Sequence, residues 1–120
     1  MAIPAWHLLS HAAELALKAY LLSHGVADGS KAGELKHPAL RHCLLPLLEL
    51  TIKHNFRPPS DAFGDIIEQL DPYHRTHFFR CRQIGRFSLP MPHAISEVLR
   101  PGIASILAEV ENRWRAMQRA

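Results

Sequence analysis

The chain has 120 residues, a formal net charge of +3 and a 48% share of hydrophobic residues. That length suits one domain, 1–120, whose core needs no disulfide or metal staple, and so mild a positive balance permits an anionic partner without demanding one. No run approaches the ~20 apolar residues of a membrane span and the N-terminus lacks the basic start of a secretion signal, so the expectation is a cytoplasmic protein with no membrane partner.

Helix one is expected from the first residues to about His24. Pro4 fits its first turn, where a missing N–H costs nothing, and Gly25 fits a left-handed stop. Its apolar residues form two seams, Leu8, Ala12, Leu15, Ala19 and Leu22 on one and Leu9, Ala13, Ala16 and Tyr20 on the other. A polar stripe runs between them: His7, His11, Glu14 and Lys18 share one line of the helix surface. So little polar surface places this helix in the middle of a bundle or at a subunit contact.

Glu14 precedes Lys18 by four residues, the favourable order for an ion pair. The stripe is read as structural, with Glu14 paired to Lys18 or to a basic side chain from the Arg-rich segment Tyr73–Phe87. Two His and a Glu on one helix face can hold a metal, but Lys18 opposes a cation there. No metal and no cofactor is therefore expected. Cys43 and Cys81 are too few for a disulfide framework and read as reduced thiols, the alternative being a single long-range bridge between them.

Residues 25–36 carry three glycines and read as a mobile loop. Helix two is expected from about Pro38 to Lys53, with Leu40, Leu44, Leu47, Leu48 and Thr51 on its core face. Pro46 lies within it and should kink or split it. After the break at Asn55–Pro59, Ser60 caps helix three, which buries Phe63, Ile66, Ile67 and Leu70. Asp71-Pro72 looks like a fresh helix start, so a short fourth piece is expected over Pro72–Arg82. Gly85–Pro92 reads as irregular. The last helix is expected from Pro92 to about Gln118, with Ile95, Leu99, Ile103, Ile106, Val110, Trp114 and Met117 on one side and a bend near Glu97 from Pro101-Gly102. No strand alternation appears, so the fold class is all-α, an antiparallel bundle of four to five helices.

Segment Tyr73–Phe87 holds four arginines, two histidines, four aromatics and no acid. Arginine forks match phosphates and aromatics stack on unpaired bases, which marks Arg75, Arg80, Arg82 and Arg86 as RNA- or phosphate-binding candidates. Arg75, Arg80 and Arg82 could instead pair with acids on neighbouring helices. A homodimer is expected, because helix one and the last helix carry more apolar face than one neighbour covers.

The run His11-Ala12-Ala13-Glu14-Leu15-Ala16-Leu17-Lys18-Ala19-Tyr20-Leu21-Leu22, then Gly25, then Lys36-His37-Pro38-Ala39-Leu40, resembles the HEPN helical-bundle domains. Pro38 stands where that group usually has Asp. Leu70-Asp71-Pro72-Tyr73 through Arg80 to Gly85 is similar to the group's third-helix region. The resemblance implies an all-helical fold, frequent homodimers, and a membership of RNases, toxins and antitoxin-like partners of nucleotidyltransferases. Its catalytic members carry an Arg-x(4–6)-His motif, which Arg86 and His93 match here, though Phe87 follows the arginine where a polar residue is usual. The function expected is a non-catalytic HEPN-like domain binding RNA or a nucleotide-related partner protein. The alternatives are a metal-independent RNase or toxin using Arg86 and His93, and a pure protein-interaction module.

Overall fold

The computed structural model describes residues 5–79 and 92–119, with side chains over 7–75 and 93–119. It holds four helices, α1 (Ala5–Ser23), α2 (Leu44–Lys53), α3 (Asp61–Phe79) and α4 (Pro92–Arg119), and no strand among the described residues. Helix α1 touches the other three and packs most extensively on α4. It runs antiparallel to α3. Ser10 and Glu14 of α1 meet His74 near the end of α3, while Tyr20 leads through Phe56 to Phe63 near the start of α3. The core is one cluster, filled by Leu17, Leu21, Leu44, Leu47, Phe56, Phe63, Ile67, Leu70, Ile95, Leu99 and Ile106, all below 2% exposed.

Two helix ends share one stop. After α1, Gly25 takes φ +86°, its N–H donates to Leu22 O and the Val26 N–H donates to Leu21 O. After α2, Asn55 takes φ 74°, its N–H donates to Ile52 O and the Phe56 N–H donates to Thr51 O. Both are the paired-bond closure in which a left-handed residue satisfies the last carbonyls. Phe56, 1% exposed, is the hydrophobic residue that locks the second of them into the core.

The second helix differs from expectation. Residues 37–42 form a separate turn, with His37 O accepting from the Leu40 and Arg41 N–H groups. Cys43 is then extended (φ −109°, ψ 96°), and α2 starts only at Leu44. Pro46 explains the displacement. In a helix running from Pro38, its ring would strike the carbonyl of His42 and leave it unbonded. Starting at Leu44 puts Pro46 in the first turn, where no N–H is needed.

Loop 25–36 is tied down internally. The Leu35 N–H donates to Ala27 O, the Lys36 N–H donates to Gly29 O, and Leu35 is 1% exposed in the core.

The expected helix start at Asp71-Pro72 is also corrected, because α3 runs through it unbroken to Phe79. Asp71 caps nothing; its Oδ2 accepts a hydrogen bond from Arg75 Nη2 at 2.5 Å. Leu70, Asp71 and His74 are buried on either side of the proline, and their packing outweighs the local cost of Pro72. In α4, Gly102 faces the ring of Phe63, and a Cβ at that position would run into it. Pro101-Gly102 thus marks the close crossing of α3 and α4.

Helix one settles a choice its pattern leaves open. The seam of Ala13, Ala16 and Tyr20, joined by Leu17 and Leu21, is buried. The seam of Leu8, Leu15 and Leu22 is 55%, 54% and 49% exposed.

Candidate functional site: a sealed carboxylate–histidine cluster

The polar stripe of α1 turns inward, towards α3 and the turn before α2. Glu14 is 2% exposed and lies at its centre. Its Oε2 accepts from Lys18 Nζ at 2.8 Å, and its Oε1 accepts from His74 Nε2 at 2.5 Å. His42 Nδ1 approaches both carboxylate oxygens, at 3.2 and 3.3 Å. On the far side of His74, Nδ1 lies 2.9 Å from the hydroxyl of Ser10. That hydroxyl also lies 3.0 Å from the carbonyl of His7, one turn back. The rings of His7 and His11 continue the array, 6.2 Å apart, with His7 also 6.1 Å from His74.

Burial by itself raises the pKa of a carboxyl. At Glu14 the hydrogen bonds from His74 and Lys18, together with their charges, outweigh burial and hold the pKa at about 2 instead of 4.5. The carboxylate is therefore ionised at any ordinary pH, and Lys18 with its histidine neighbours satisfies the buried charge.

Ser10, His74 and Glu14 form a chain of the kind that activates a nucleophile. Two observations bear on that chemistry. Ser10 and His74 are both 0% exposed, so no substrate reaches the hydroxyl. That hydroxyl is also placed to donate back into its own helix, at His7 O. The network links α1 to α3 and to the 37–43 turn through side-chain hydrogen bonds.

The remaining candidates are dispersed. His93 stands in the first turn of α4, 84% exposed, with Nε2 3.0 Å from Glu97 Oε1. Arg75 is tied to Asp71, with its side chain 44% exposed. Arg80, Arg82, Arg86 and Cys81 lie outside the described residues, so the spacing of Arg86 from His93 does too. Cys43 is a buried free thiol. Among the described residues no group of three or more His, Cys, Asp or Glu could hold a metal ion, and no helix is long and apolar enough to cross a membrane.

Sequence reasoning missed His74 and Ser10, yet both carry a signal. Residues 63, 67, 70 and 74 continue one buried face of α3, and 10, 13, 17 and 21 continue one buried face of α1. A polar residue on such a face requires a partner. No family model matches this chain, and neither does any curated protein or solved structure.

Proposed function

We propose that this chain is a non-catalytic, HEPN-like binding domain that holds single-stranded RNA through the arginines of segment 73–87, namely Arg75, Arg80, Arg82 and Arg86. One observation carries the non-catalytic part. Among the described residues, the groups aligned for proton transfer are sealed from solvent, as in Ser10–His74–Glu14, while His93 is open to solvent but faces only Glu97. A reaction site needs a group that is both aligned and reachable. The RNA part rests on composition: four arginine forks and four aromatics in fifteen residues without an acid, suited to phosphates and unstacked bases.

Filter binding of labelled single-stranded RNA tests the reading. Retention should fall steeply with salt, because phosphate contacts release counterions. The paired change Arg80→Ala with Arg82→Ala should abolish retention. Equal retention by that variant would sink the RNA assignment. RNA cut by the wild type and spared by His93→Ala would sink the non-catalytic one.

A further inference from the structure

A groove of about 320 Å³ runs between the C-terminal ends of α1 and α4, lined by Ala19, Leu22, Ser23, Val110, Trp114 and Met117. Small-ligand pockets begin at about this size. Apart from the Trp114 indole, the lining offers a ligand no free hydrogen-bond donor. The Ser23 hydroxyl donates to Tyr20 O at 2.7 Å, and the Ser23 carbonyl accepts from Arg113 Nε at 2.6 Å. The part of a ligand that enters must therefore be apolar, because a polar group would leave water and find little in return. A nucleobase, polar along its edges, is a poor match.

The Ser23 end of the groove is cationic. Arg113 lies on the same face of α4 as Val110, Trp114 and Met117. Its Nε is spent on Ser23, and its two Nη groups have no partner among the described residues. Next to Ser23, His24 stacks on Tyr20 at 4.3 Å, with the His54 ring 5.8 Å away. Burial, together with the charges of Arg113 and His54, pushes the pKa of His24 down. Glu109 of α4 acts on Tyr20 at the same corner but makes no ion pair with Arg113 among the described residues.

We propose that this groove binds a free medium-chain fatty acid, its alkyl tail along Leu22, Val110, Trp114 and Met117 and its carboxylate on the Nη pair of Arg113. Charge complementarity selects this occupant. An apolar channel closed at one end by an arginine fork fits a molecule with one anionic head and an otherwise apolar body. The aliphatic lining suits a flexible tail, whose contacts need no fixed direction. The site is separate from segment 73–87 and does not depend on RNA binding.

NMR titration of the whole chain with octanoate, kept below its micelle concentration, tests the assignment. Methyl resonances of Leu22, Val110 and Met117 should move together and saturate. His24 should titrate at a higher pH with octanoate bound, since an anion beside it offsets Arg113 and His54. The uncharged 1-octanol should bind about ten-fold more weakly, and Arg113→Gln should weaken octanoate by about the same factor while leaving 1-octanol unchanged. Trp114→Ala, at a side chain 57% exposed, should keep the helical circular-dichroism spectrum and weaken both ligands alike. Shifts that never saturate overturn the proposal. So does 1-octanol binding as tightly as octanoate, or an Arg113→Gln variant that keeps full octanoate affinity. Shifts of the same methyls on raising the protein concentration alone, with none from octanoate, overturn it as well, because the groove then belongs to a second copy.

Discussion

Glu14 concentrates the electrostatics of the fold in one carboxylate. Three of its neighbours come from different parts of the chain: Lys18 on its own helix, His42 from the turn before α2, and His74 from α3. Replacing the carboxylate by an amide leaves the Lys18 ammonium without its buried partner and should be strongly destabilising, because one half of a buried pair is worse than none. Glu14→Gln should cost about 3 kcal/mol at neutral pH, or on the order of 10 °C in Tm. The pH dependence follows from the folded value of about 2 against 4.5. A carboxyl whose pKa is lowered by folding contributes fully above its unfolded value and loses that contribution as pH falls towards the folded one. Urea melts of wild type and Glu14→Gln should therefore differ most above pH 4.5, and the gap should close as the pH approaches 2. Coincident melts at pH 7 would show that the carboxylate holds nothing together. The Glu14–Lys18 spacing is legible in the sequence, since both residues lie on one helix. The choice of His74 is not, because nine histidines compete for the role and the pairing spans 60 residues.

At the scale of elements, local rules read well where one residue decides the outcome and poorly where packing does. Gly25 stops α1 as its position suggests. Pro46 does govern α2, by moving the start to Leu44. Pro72 reads as a boundary but lies inside α3, because buried residues on both sides keep the helix continuous. Gly102 reads as half of a bend signal, and its surroundings give it a second role. In an exposed helix, Gly→Ala stabilises by up to ~1 kcal/mol. Here the new methyl would meet the ring of Phe63, which is 0% exposed in the core. Gly102→Ala should therefore destabilise by about 1–3 kcal/mol, the usual range for overpacking. Combining it with Phe63→Leu should recover part of the loss. Denaturant melts of the two single changes and the pair decide the point, and a stabilised Gly102→Ala would show that the helices do not cross so closely.

The whole molecule is longer than its core, with extents of 50 × 32 × 27 Å, and the end of α4 overhangs the body. That overhang shows where periodicity stops informing. Leu107, Val110, Trp114 and Met117 repeat as regularly as the buried Ile95, Leu99 and Ile106, so the pattern alone marks all of them as core. Likewise, two equally regular seams on α1 give no sign of which one faces its neighbours. Only the count of available partners separates them: α2, α3 and α4 cover one side of α1 and leave Leu8, Leu15 and Leu22 to solvent. Hydrogen exchange reads the consequence directly, since protection requires that a helix be held by something. The amides of residues 112–119, all of them exposed, should therefore exchange quickly. Those around Leu17 and Ile106, in the core cluster, should exchange slowly. Protection of 112–119 equal to that of the core would mean that the overhanging turns are held by contacts outside the core cluster.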